Sequence, residues 1–329
     1  MQGKRSWDNL FARYTIVPAL CMAIWLASCS WLSAQHVLKP SDSLHKKRVW
    51  IVGGTWTALY GTALIGLNAA WYADFERGPF QFYDDSREWL QMDKAGHLFT
   101  NYFEAKWTAD ALKWAGVKQR KAALIGTATG LVFQTTLETL DGFSAEWGFS
   151  PADMAANAGG ALIFLSQELL WNEQRVQVKF STSPSIASNY SSYCNCDINA
   201  RQRDLYGASV PEQILKNYNH QTYWLSVNMY SFFLESNIPP WLNVAFGYGA
   251  QGMLGGYENE WFDNGKLISA TDVNRVRQFY ISPDIDLTKI KTNKPLLKTL
   301  FSVLNIVKVP MPALMLNSRN QITFYPLFF

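Results

Sequence analysis

The sequence predicts an α+β fold: an N-terminal apolar four-helix bundle (about 49–171) followed by a β-containing C-terminal half. Three observations carry that prediction. The run Val49–Tyr72 has no charged residue. Ser150-Pro151-Ala152-Asp153 reads as a helix start, with Ser at the N-cap, Pro at the first helical position and an acid at the third. Beyond residue 172, Arg277–Ser282 and Asp284–Ile290 alternate apolar and polar with period two.

The helices follow in order. At ~1.5 Å per residue, Val49–Tyr72 can cross a hydrocarbon core of ~30 Å. Gly78-Pro79 breaks the next stretch. Asp93–Trp114 is amphipathic, carrying Glu104, Lys106, Asp110 and Lys113. Asp93 suits its N-cap or first turn. Gly116 ends it. Ala122–Leu137 is apolar, with Gly126 and Gly130 spaced for close helix packing, and ends at Glu138–Asp141. The last helix runs from Pro151 to about Trp171. Residues 172–222 read as polar and loop-rich. Strands are expected at Thr222–Phe233, Trp241–Gly249, Arg277–Ile290 and Gln321–Phe329, with Pro283 at a bulge or edge. Asn293–Val307 reads as a helix or a buried apolar segment. The division expected is 1–35 leader, 45–172 helical domain, and 173–329 loops and strands packed on it.

At 329 residues the chain can bury a core without covalent staples. A net charge of +3 points to no nucleic-acid or nucleotide partner. Aromatic residues make up 15%, with 14 Trp, which suits places where apolar and wet surroundings meet. A mean hydropathy of −0.09 fits an apolar part joined to a polar part.

The N-terminus reads as an export leader: Lys4, Arg5 and Arg13, then the apolar run Tyr14–Leu26. Leu26-Ala27-Ser28-Cys29 fits a lipobox that would lipidate Cys29, and Ser33-Ala34-Gln35 fits cleavage after Gln35. The second is favoured, because Trp25 and Trp31 flank the lipobox. Cys194 and Cys196 are spaced closely for an unstrained disulfide. They read first as a plain loop pair and second as a strained disulfide.

Helix direction makes a site. Short connections make consecutive helices antiparallel. The helix from Asp93 therefore starts where the next one ends and the third begins. Asp93, His97, Glu138, Asp141, Asp153 and Asn157 should converge, and they are the candidate ligand-binding residues. Asp93/His97, Gln134/Glu138 and Asp153/Asn157 each lie one turn apart on a face. Capping and inter-helix pairing account for several of them. His97, Glu138 and Asp153 are the candidates for acid–base work. The same three have metal-donor chemistry, but their spacing matches no closed metal motif, so no metal or cofactor is expected.

These residues also carry a resemblance. Trp89–His97, Glu138–Gly148, Asp153–Asn157 and Gln167–Trp171 resemble the YfiM-like family of uncharacterised bacterial envelope (lipo)proteins. Pro211–Asn219, Gln221–Ser226, Trp241–Ala245 and Asp284–Thr292 resemble its longer, Bacteroidetes-type form. His220 departs from it, standing where Gly is expected. More distantly, Asp-Lys-x-x-His with the acidic and Asp-x-x-x-Asn elements looks VanZ-like. The resemblance implies an envelope protein without an assigned activity. It fits a binding or structural role at the membrane, with a membrane lipid or an envelope protein as partner and the outer membrane favoured over the inner. The alternative is a lipid- or glycan-modifying hydrolase or transferase using His97 with Glu138 or Asp153. No nucleophile motif supports that alternative.

Overall fold

The computed structural model describes residues 37–67, 77–145, 147–183, 192–194, 196–234, 237–263 and 265–329. The leader, Cys29 and both candidate processing sites lie outside them. Helices dominate the first half and an antiparallel sheet the second. The long helices are α1 (Lys46–Leu67), α2 (Met92–Trp114), α3 (Gln119–Gly142) and α4 (Pro151–Leu170). β1 (Val176–Thr182), α5 (Ile198–Tyr206), α6 (Val210–Lys216), β2 (Gln221–Asn228) and the short α7 (Met229–Phe232) follow. After them come β3 (Leu242–Gln251), the hairpin β4 (Glu260–Asp263) and β5 (Lys266–Ser269), β6 (Val276–Ile285), α8 (Pro295–Leu304), β7 (Met311–Asn317) and β8 (Ile322–Phe328).

α2 is the central helix. It packs against α3 and α4 around Tyr102, Phe103, Ala105, Leu112 and Phe164. Glycine permits that closeness at two points. A Cβ on Gly126 would lie 2.3 Å from the Ala105 carbonyl oxygen, and one on Gly160 would lie 2.1 Å from that of Leu98. The helix backbones therefore touch. α1 differs: it is apolar all round, and Val52 is the only buried side chain among its described residues. Its Tyr60 reaches α3, donating to Thr136 Oγ1 at 2.7 Å. By length and composition α1 can cross a membrane.

The main sheet has the order β1-β2-β3-β6-β7-β8. Its β1 falls in the stretch read from sequence as loop. Val176, Val178 and Phe180 alternate there with Gln177, Lys179 and Ser181; all three polar residues are buried, and Val178 packs on the helical core. α5 and α6 were likewise absent from the sequence expectation. β6 stops at Ile285, and residues 287–289 form a 3-10 turn instead of continuing the strand. Asp286 ends the strand by accepting from Thr288 N–H at 2.9 Å. Pro283 sits beyond the last residue of β6 paired with β7, where no donor is needed on that side. α8 is a helix, but none of its residues is buried. A disulfide joins Cys194 and Cys196, which corrects the first reading of them as a plain loop pair.

The sheet curls. Trp224 on β2 and Phe328 on β8 lie four strand positions apart, ~19 Å in a flat sheet, yet their ring centroids are 5.9 Å apart. The concave face is mixed: an apolar cluster of Trp224, Ala245, Tyr280, Ala313 and Met315 lies beside a buried polar set. Lys179 and Asp284 are both fully buried there, 2.8 Å apart. Asp284 also accepts from Ser226 Oγ at 2.6 Å, and Asn243 donates to Ser226 at 2.9 Å. Lys179 also donates to the Ile285 carbonyl at 2.8 Å.

A charge left alone in such a face is costly. Asp284→Leu should lower unfolding free energy by ~3–5 kcal/mol in denaturant titrations, and adding Lys179→Met should recover most of that loss. Equal losses in the single and double variants would show that the pair is not the cause.

Candidate functional site

The site begins with backbone strain. Trp89, Leu90 and Gln91, just before α2, have φ of 48°, 51° and 63°. Left-handed backbone costs ~1–2 kcal/mol for each such residue. The C-terminal half holds the turn in place. Trp89 N–H donates to the Gly256 carbonyl at 2.8 Å. The Tyr248 hydroxyl donates to the Leu90 carbonyl, and Arg277 donates to Gln91 Oε1 at 2.7 Å. The turn sets the Trp89 indole against Tyr218 and Tyr206, at centroid distances of 5.6 and 6.0 Å. It also aims the first turn of α2 into a cavity of about 430 Å³.

Each predicted helix end delivers its residue. Asp93, His97, Glu138, Asp141 and Asp153 all line the cavity, and Asn157 meets His97 Nδ1 through its Oδ1 at 3.3 Å. The Ser150 hydroxyl caps α4 by accepting from Asp153 N–H at 3.0 Å, while donating to Asp85 at 2.5 Å. Ser150 N–H donates to Glu138 Oε2 at 3.2 Å. Asp93 lies in the first turn of α2 and caps nothing; the N-cap position is the left-handed Gln91. The Asp93 carboxylate instead accepts from the Tyr218 hydroxyl at 2.9 Å.

Lys94 is the residue that sequence reasoning passed over. Its Nζ lies 2.7 Å from Asp85, 2.9 Å from Asp93 and 2.7 Å from Asp153. It stood within the quoted Trp89–His97 run, but nothing local showed that three carboxylates would close on it. Tyr206, Lys216 and Tyr218 were missed because they reach the cavity from distant segments, and Asp85 and Glu88 because they lie in the irregular stretch before α2.

His97 sits among acids without closing on any. Nε2 is 3.8 Å from Asp93 and 3.7 Å from Asp153, and Nδ1 is 3.7 Å from Glu138. These exceed hydrogen-bond length, so the contacts are electrostatic. Burial opposes protonation of His97, but Asp93, Asp153 and Glu138 together outweigh it and raise the imidazole above its usual range. Burial pushes Glu138 up to about 7, helped by Asp141 and opposed by His97. Burial and the neighbouring Asp93 push Asp153 upward, while His97 and Lys94 overcome burial at Asp93 and hold it low. Asp93, His97 and Asp153 present donor atoms within 4.8 Å of one another, close enough to share a metal ion. Lys94 already supplies the positive charge between the two carboxylates, and an ion there would have to displace it.

This strained, acidic, helix-end cavity is matched in sequence by one described family. Residues 81–166 fit the model of "Predicted periplasmic lipoprotein (DUF2279)", a span holding every cluster residue named from sequence. Comparison with curated proteins and with solved structures returns no match. The family match supports an uncharacterised lipoprotein family and a place in the cell envelope.

The shifted groups give a pH dependence. An acid whose pKa rises on folding binds its proton in the folded state first, so its contribution is lost as pH rises through the folded pKa. For Glu138 the window runs from about 4.5 to about 7. His97, also raised, continues the loss above 6.5. The melting temperature should therefore fall between pH 5 and 8. Glu138→Gln should flatten the acidic half of that slope. An unchanged slope would remove Glu138 from the account.

Proposed function

We propose that the chain is a periplasm-facing envelope protein whose helical end is a binding pocket for a hydroxyl-rich head group, glycan or glycolipid. The observation that carries this reading is the open geometry around His97: three carboxylates surround it at 3.7–3.8 Å and none is closed on it, beside a 430 Å³ cavity. A purely structural cluster would be filled and paired. Here the buried Asn157 Nδ2 finds no protein partner. The volume lies in the ~300–1,000 Å³ range of small-molecule pockets. Carboxylates accept from hydroxyls, and the Tyr83, Trp89 and Tyr218 rings on the wall suit the apolar faces of a sugar. The YfiM-like and distant VanZ-like kinship and the outer membrane as the favoured place are part of this proposal.

A second reading is favoured by one observation. Glu138, raised to about 7, faces an imidazole that is also raised, so the pair can exchange a proton near neutral pH. In that reading His97 activates water for hydrolysis of an envelope lipid or glycan, and Glu138 or Asp153 orients it.

Calorimetric titration of the full chain with chitobiose, a soluble amino-sugar disaccharide, tests the first reading. Saturable binding is expected, with at least a tenfold loss in His97→Ala/Asp153→Asn that keeps its circular dichroism. No binding to the unsubstituted chain would overturn it. Release of monosaccharide that disappears in His97→Ala would favour the second reading.

A further inference from the structure

The curled sheet turns an apolar face outward. Its concave face buries Lys179, Asp284, Asn243 and Ser226 beside the Trp224–Tyr280 cluster, while its convex face is apolar. Strand register sets Leu225, Phe246, Ile281, Leu314 and Phe324 in one row across five strands. All five are 41–63% exposed. A second row, Phe279, Leu316 and Ile322, runs beside it and is 45–69% exposed. In a sheet surrounded by water the alternation runs the other way. Apolar-out and polar-in is the arrangement of a sheet in lipid.

The apolar surface does not stop at the sheet. Phe99 of α2 packs on Tyr223 of β2 at 5.5 Å and also lines a groove of about 720 Å³ between α1, α2 and α3. Ile306 closes that groove beside α8. On α8, Leu296, Leu300, Val303 and Leu304 share one exposed face. Lys291, Lys294 and Lys298 beside it are exposed, and no ion pair holds them among the described residues. That combination of apolar face and free cations matches an anionic lipid surface.

We propose that the convex sheet face, continuous through Phe99 with the helical groove and α8, is seated in the hydrocarbon of a phospholipid leaflet bearing anionic head groups. The surface turns around the molecule from sheet to groove to α1. A fluid hydrocarbon can cover it, whereas one flat partner would leave most of it bare. The sheet does not cross the bilayer. Its apolar band covers these two rows and a third, Val227, Val244 and Pro283, so from Phe279 to Pro283 it is about 13 Å tall at ~3.3 Å per residue, against ~25 Å for a spanning band.

The test places a nitroxide on Leu314→Cys, Phe324→Cys and, as a solvated control in the β7–β8 turn, Arg319→Cys. The full chain is reconstituted in vesicles of phosphatidylethanolamine and phosphatidylglycerol. The chain with only its native cysteines supplies the background, and near-ultraviolet circular dichroism checks the fold. At 314 and 324, relaxation by oxygen should exceed that by a water-soluble nickel chelate several-fold, with the order reversed at 319. Nickel access at 314 and 324 equal to that at 319 would show a solvated face and overturn the proposal. Exclusion of both reagents, with short label–label distances, would show a second copy in place of lipid and also overturn it.

Discussion

The ion cluster around Lys94 is the constraint on which the site depends. One ammonium joins Asp85 from the connecting loop, Asp93 from α2 and Asp153 from α4. Removing charges from water is expensive unless they are paired. Here the pairing is uneven: Asp85, Asp93, Asp153 and Glu138 are four carboxylates, set against Lys94 and, even when it carries its proton, a single imidazole, His97. Two negative charges remain in excess. Burial and this excess together push Glu138 and Asp153 up, while His97, Lys94 and the hydrogen bond from Tyr218 hold Asp93 down. The cluster therefore holds exchangeable protons near neutrality because its charges do not balance.

The two halves of the chain share this site. The helical half supplies the acids and the imidazole. The sheet half holds the turn that aims them: Gly256, Tyr248 and Arg277 each bind one of the three left-handed residues. Three consecutive strained residues persist only where their surroundings over-determine them. Gly256 and Tyr248 come from around β3, and Arg277 from β6. The sheet thus holds the wall of the cavity by hydrogen bonds and not by apolar packing alone.

Much of this was legible in local sequence. Ser150-Pro151 fixed the start of α4, and antiparallel helix order brought Asp93, Glu138 and Asp153 to one end. What was not legible depended on distant partners. β1 alternates plainly, but Gln177 and Lys179 read as solvated until Asp284 and Asp286 are seen to receive them. Tyr218 looked like a loop residue until its hydroxyl reached Asp93, 125 positions earlier in the chain. α8 was read as a helix or a buried segment because its apolar face is strong. That strength is real, but nothing in the described chain covers the face.

Glu138 shows most clearly how helix direction and charge combine. Near the C-terminal end of α3 it faces the negative pole of its own helix, an unfavourable place for a carboxylate. It is also 1% exposed. The compensation comes from the next helix. Ser150 N–H, at the N-terminus of α4, donates to Glu138, so the positive pole of α4 meets the charge that α3 repels. Ser150 is itself fixed by Asp85, which is held by Lys94. A proton on Glu138 relieves the conflict with α3, and its loss is tolerated because α4 and His97 stand opposite. Burial is the largest cause of its raised pKa, and its place between two helix ends of opposite sign keeps both the protonated and the ionised acid tolerable beside the cavity.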